Sequence, residues 1–254
     1  MISIIKYLTL IFLLLVPSLL MADEDEQIIR QANQDYSSGL YNNAIAGYLE
    51  VLDKGVESAE LYYNLGNAYF KVNDMACAIL FFERAKRLNY YDEDINHNLQ
   101  VANNRIVDKI NEVPVIFYKQ WWSRLYNLLG VNAWAKLNIT ILVIFMIFVL
   151  VYFIARTIII RKAAFWLGIT MFVFALFSFG FALQKYKSFH THNQAIVFSP
   201  SITIKSSPAE NSVDLFVVHE GTKVKILDSI GDWREIKIAN GSVGWIQQSA
   251  ISVI

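Results

Sequence analysis

Cysteine occurs once, at Cys77, which excludes an internal disulfide and any multi-cysteine metal site. Histidine occurs four times, at His97, His190, His192 and His219. Only His190-Thr191-His192 brings two imidazoles close together, and in a linker beside an apolar run this pair reads as solvated chain, so no metal site is expected. Charged residues make up only 17% of the 254, against 55% hydrophobic, a balance that excludes a disordered chain. Acid is missing from a whole stretch, since no aspartate or glutamate lies between Glu112 and Glu210. There is no phosphate-binding loop, nucleophile elbow or distinctive carboxylate pair. An enzyme reading therefore has no residues to rest on, and neither a catalytic group nor a cofactor is expected.

The formal net charge of zero conceals a segregation. Residues 23–112 carry 16 acids and 8 bases, residues 113–188 carry 8 bases and no acid, and residues 189–254 carry 6 acids and 5 bases. The bases of the middle stretch frame apolar runs and form no basic domain, so nucleic acid is not an expected partner.

Three apolar runs are present. Tyr7–Ala22 is uncharged, preceded by Lys6 and followed by Asp23-Glu24-Asp25-Glu26, the pattern of a signal peptide over 1–22. Cleaved signal and uncleaved anchor both place residue 23 onward outside the cytoplasm. Leu137–Ala155 and Ala163–Gln184 are uncharged over 19 and 22 residues; at about 1.5 Å per residue each matches a hydrocarbon core of roughly 30 Å. Membrane helices are expected over 134–156 and 163–184, joined as a hairpin by a linker holding Arg156, Arg161 and Lys162. Bases also flank the outer ends, so the signal sets the orientation: the linker lies inside, and both soluble parts face the extracytoplasmic side of a bacterial inner membrane. Trp121, Trp122, Tyr126 and Trp134 lead into the first run. Amphipathic rings favour the headgroup layer, so 113–133 reads as an interfacial aromatic segment; packing against the helical domain is the other reading.

Residues 23–112 contain an internal repeat. Ala44-Ile45-Ala46-Gly47-Tyr48 aligns with Ala78-Ile79-Leu80-Phe81-Phe82 at a spacing of 34, as do Asn33 with Asn67 and Tyr36 with Phe70. Gly39 falls opposite Asn73, where a turn between helices needs a permissive backbone. The second copy, Tyr63-Asn64-Leu65-Gly66-Asn67-Ala68-Tyr69 followed by Ala78, Phe82 and Ala85, resembles the tetratricopeptide repeat; the first is degenerate, with Ala32 and Asp35 at the glycine and tyrosine positions. A third start at about 92–107 fits a capping helix, and a stack this short is expected to lean on the membrane segment. The resemblance implies a groove lined by first helices, with Asn33, Tyr36, Tyr63, Asn67, Phe70 and Lys71 as the partner-binding positions; packing of Tyr63 and Phe70 between helices is the alternative. Glu93 and His97 at the third-repeat positions do not form a basic carboxylate clamp, and the acidic domain favours a basic or neutral partner. Cys77 beside Ala78 reads as a buried small residue and not as a redox thiol.

After Lys187 short alternating runs take over, separated by Glu220-Gly221, Gly231-Asp232 and the hairpin signal Asn240-Gly241. Lys205-Ser206-Ser207-Pro208, Glu220-Gly221-Thr222, Gly231-Asp232-Trp233 and Gly244-Trp245-Ile246 resemble the bacterial SH3 domain, so a small SH3-like β-barrel is expected over 190–254, with Trp233 and Trp245 as core and closure residues. The fold class is thus multidomain α and β: helical tetratricopeptide-like repeats, a transmembrane helical hairpin and the barrel.

In that order the modules resemble the BatE family of aerotolerance proteins, most closely at Lys205–Pro208 and Leu215–Val224. The resemblance implies a membrane component of an envelope complex, with von Willebrand A-type Bat membrane proteins and a MoxR-type ATPase as companions and a link to oxidative-stress tolerance. The expected function is a non-enzymatic adaptor. A protein that binds peptidoglycan, with purely structural repeats, is the alternative.

Overall fold

The computed structural model describes residues 24–110, 116–191 and 193–254. The expected signal and His192 lie outside the described residues. The chain divides into two compact units, one joining the N-terminal helices to the C-terminal sheet and the other centred on residues 112–193.

In the first unit, α1 (24–37) and α2 (Tyr41–Asp53) form one helical hairpin, and α3 (Ala59–Lys71) and α4 (Met75–Leu88) form the next. The turns sit 34 residues apart, at Gly39 with φ 79° and Asn73 with φ 65°, a backbone region that glycine and asparagine tolerate best. Side-chain caps fix the helix starts. Ser58 Oγ accepts from Leu61 N at 3.0 Å and Asp92 Oδ1 from Ile95 N at 3.1 Å, which begins α5 (Glu93–Asn103). Tyr48, Val51, Leu65, Ile79 and Phe82 are buried between the helices. Such side chains contribute roughly 1.5–3 kcal/mol each relative to exposure.

Seven antiparallel strands follow: β1 (Gln194–Val197), β2 (Ser201–Lys205), β3 (Asp214–His219), β4 (Lys223–Ile230), β5 (Trp233–Lys237), β6 (Val243–Gln247) and β7 (Ile251–Val253). Their order is β3-β2-β6-β5-β4-β1-β7. The sheet wraps a core of Ala195, Val197, Ile204, Val218, Val224, Ile236 and Ile246. The expected barrel is not closed: β3 and β7 remain edges. At the end of β7 two backbone carbonyls, those of Val253 and Ile254, are bonded by a helix. Arg84 Nη2 donates to Val253 O at 2.8 Å and Arg87 Nη1 to Ile254 O at 2.6 Å, both from α4. Trp233 and Trp245 are half-buried and lie outside this aliphatic core, which corrects their expected role.

Sheet and repeats share packing. Ile196 and Ile254 belong to one cluster with Ala76, Ile79, Phe82 and Leu99. Within its own unit the short stack packs against the sheet. Asp108 completes the junction. Its Oδ2 accepts from His219 N at 2.8 Å and Thr222 Oγ1 at 2.7 Å, while its Oδ1 lies 2.8 Å from His219 Nδ1.

In the second unit, α6 (Phe117–Asn127) precedes α7 (Val131–Ile154) and α8 (Ile158–His190). Both α7 and α8 are long and apolar enough to cross a membrane. The linker is shorter than expected, because α8 already begins at Ile158 and carries Arg161 and Lys162 in its first turns. Polar atoms inside the hairpin are paired: Asn138 Nδ2 donates to Ala175 O at 2.7 Å.

Candidate functional site

The first helices α1, α3 and α5 present equivalent positions to one side of the first unit. On α3, Tyr63, Asn67, Phe70 and Lys71 fall at spacings of three and four, which place them on one helix face. These four, with Tyr36 from α1, Phe82 from α4, and Asn98 and Val101 from α5, line a cavity of about 280 Å³.

Asparagines organise it. Asn64 Nδ2 lies 3.5 Å from Asn33 Oδ1, and 34 residues further on Asn98 Nδ2 donates to Asn67 Oδ1 at 2.8 Å. Successive first helices are thus tied by the same side-chain pair. Asn98 Nδ2 also donates to Tyr63 Oη at 3.0 Å. Asn67 Nδ2, Asn98 Oδ1 and the Tyr63 hydroxyl proton are not used in this network. One donor amide and one acceptor amide suit the backbone of an extended segment, as side-chain amides carry both kinds of group.

Of the six residues expected from sequence, Tyr36, Tyr63, Asn67, Phe70 and Lys71 line this cavity and Asn33 does not. Asn33 Oδ1 is held by the Tyr48 hydroxyl at 2.6 Å. Tyr63 and Phe70 are half-buried: they pack against helix neighbours and still present an edge to the cavity. The sequence reading missed Phe82, Asn98 and Val101. The 34-residue offset carried the signal, because they stand 34 positions after Tyr48, Asn64 and Asn67.

Electrostatics differ locally from the domain. No carboxylate lines the cavity, Lys71 is exposed, and the Arg105 guanidinium sits 4.4 Å from the centroid of the Phe70 ring. The rim therefore carries cations, although residues 23–112 are acidic overall. Burial, with smaller contributions from Tyr41 and Tyr63, raises the Tyr36 pKa, so its phenol stays neutral at physiological pH.

Cys77 lies apart from this cavity. Burial first, and then the adjacent Asp74 carboxylate, push its thiol up to about 12. A thiol so protonated is a poor nucleophile and a poor oxidant sensor.

A second hollow, open and about 540 Å³, lies on the sheet and is lined by Glu210, Asp232, Trp233, Gln247, Gln248 and Ser249. Among the described residues, no group of three or more His, Cys, Asp or Glu side chains could hold a metal ion.

No family model matches the chain, and no curated protein sequence does. Among solved structures, one described as "Crystal structure of MamA protein" is 20% identical, covers 68% of this chain and 80% of its own, and has a TM-score of 0.30. A likeness of that size says nothing about how this chain works.

Proposed function

We propose that the chain is a non-enzymatic, membrane-anchored adaptor whose repeat groove captures an extended partner segment. The observation that carries this reading is the cavity itself: aromatic edges, one free donor amide, one free acceptor amide and Lys71 converge on it. Rings supply apolar area and the amides hold a backbone, which is how a short extended segment is bound without a deep pocket. The cationic rim favours a carboxylate beside the apolar anchor, in place of the basic or neutral segment that the overall charge suggested. The hairpin α7–α8 anchors the groove at a membrane, with both soluble parts on the extracytoplasmic side.

The order of repeats, hairpin and SH3-like sheet resembles BatE of the aerotolerance family. In that setting the partners are von Willebrand A-type Bat membrane proteins of an envelope complex. The alternative reading, binding of peptidoglycan, draws on the second hollow, where Trp233 stands beside two carboxylates and two amides, side chains suited to sugar hydroxyls.

The groove reading is tested with two blocked peptides, one alternating phenylalanine with aspartate and one alternating phenylalanine with lysine, titrated against the full chain in mild detergent. The aspartate peptide is expected to bind roughly tenfold more tightly, and Lys71→Glu to abolish that preference. Equal binding of the two, unchanged by Lys71→Glu, would move recognition away from this cavity.

A further inference from the structure

The helix α6 presents an uncovered stripe. Phe117, Trp121, Arg124 and Leu128 recur at spacings of four, three and four, which align them on one face. Phe117 is 80% exposed, Trp121 63% and Leu128 59%. A surface of this kind on a soluble protein would be a liability.

The opposite side of α6 fixes its depth. Trp122 Nε1 donates to Gln184 Oε1 at 2.8 Å, and the Trp122 ring lies 5.0 Å from that of Phe181. Lys185 Nζ, on a residue only 8% exposed, donates to Asn127 Oδ1 at 2.6 Å. Phe181–Lys185 is where the apolar run of α8 gives way to charge. The stripe is therefore held at the end of the hydrocarbon-length segment, level with lipid headgroups.

Charge selects among lipids. Lys119, Arg124, Lys136 and Lys187 stand at this end of the hairpin, and residues 113–188 contain no acid to neutralise them. Arg124 sits inside the apolar stripe and makes no ion pair among the described residues. A guanidinium at headgroup depth, flanked by rings, matches a phosphodiester, which it can bond through two parallel N–H groups.

We infer that α6 is a lipid-recognition element: Phe117, Trp121 and Leu128 insert at the acyl boundary, and Arg124 binds the phosphate of an anionic phospholipid. This rests on the reading that α7 and α8 cross a bilayer.

The test uses the full chain in nanodiscs of equal phosphatidylcholine and phosphatidylglycerol, with one lipid or the other carrying brominated acyl chains. The contribution of Trp121 to fluorescence quenching is taken as the difference between wild type and Trp121→Phe. Quenching should favour brominated phosphatidylglycerol, with a relative association of roughly fivefold, as one cation at an anionic surface implies. Arg124→Gln should remove the preference while leaving Trp121 quenched, and Arg124→Lys should retain part of it. Equal quenching by both lipids in the wild type, or a preference that survives Arg124→Gln, overturns the inference. Trp166 on α8, read through Trp166→Phe, separates the two levels. Quenching of Trp166 without Trp121 overturns the role of α6 alone, and quenching of neither overturns the membrane reading as well.

Discussion

Gly221→Val is expected to cost about 3–5 kcal/mol, from a left-handed backbone forced on a β-branched residue and from overpacking. Gly221 has φ +82°, and a Cβ there would stand 2.5 Å from Ile106 Cγ2 and 3.3 Å from Ile79 Cδ1. Ile79 has little room to yield, being fully buried, and Ile106 is half-buried against the same cluster. The Gly221 amide is also committed, donating to Val197 O at 2.8 Å. The residue is thus the point where the β3–β4 turn touches the helical layer. A loss of this size is a large part of a domain's total stability and corresponds to a fall in melting temperature of about 10 °C or more. Hydrogen exchange on the full chain should show faster exchange in both α4 and the sheet. Faster exchange confined to residues 194–254 would mean that the two layers fold independently.

Asp108→Ala is expected to cost about 3 kcal/mol. It removes hydrogen bonds to a charged acceptor and leaves the His219 amide and the Thr222 hydroxyl without partners in a largely buried setting. The effect also has a pH signature. Burial alone would raise the Asp108 pKa above its ordinary 3.8, but the bonds from Thr222 and His219, with the imidazole charge, more than offset it and the net shift is downward. A carboxylate with a lowered folded pKa contributes stability that is fully present above its unfolded value and is lost as pH falls through the folded value. The wild type should therefore lose stability on acidification below about pH 4–5, and Asp108→Ala should lose less over the same range. Thermal melts at pH 7, 5 and 3 read this directly. An identical pH slope in the two proteins would show that Asp108 does not carry the linkage.

What could be read in the sequence followed from local periodicity. The 34-residue offset located both helical hairpins, because a turn residue, a small residue and a large one recur together at Gly39/Asn73, Ala44/Ala78 and Tyr48/Phe82. The resemblance to the repeat, and not the offset alone, pointed to five of the cavity residues. It did not separate Asn33 from Asn67, since what distinguishes them is the Tyr48 hydroxyl, 15 residues from Asn33, at a position where the second copy has a phenylalanine. The junction was not legible. Asp108 and His219 are 111 residues apart, and each alone resembles an ordinary surface residue beside a strand or helix end. At the β3–β4 turn His219, Gly221, Thr222 and Lys223 all face the helical layer, the last bonding Glu83 at 2.8 Å. The open sheet was equally hidden. Alternating strands with glycine turns suit a closed barrel, and the bonds from the α4 arginines to the chain at the end of β7 join residues 169 and 167 positions apart.

Whether the repeat groove holds a protein partner at the membrane is tested by site-specific cross-linking in native membranes. A photo-reactive phenylalanine analogue is placed at position 70, in the cavity, and separately at position 233, on the sheet, and captured proteins are identified by mass spectrometry. Capture of von Willebrand A-type membrane proteins is expected from position 70, suppressed when Lys71→Glu is added. Capture of those proteins from position 233 alone, or from position 70 with no response to Lys71→Glu, would contradict it.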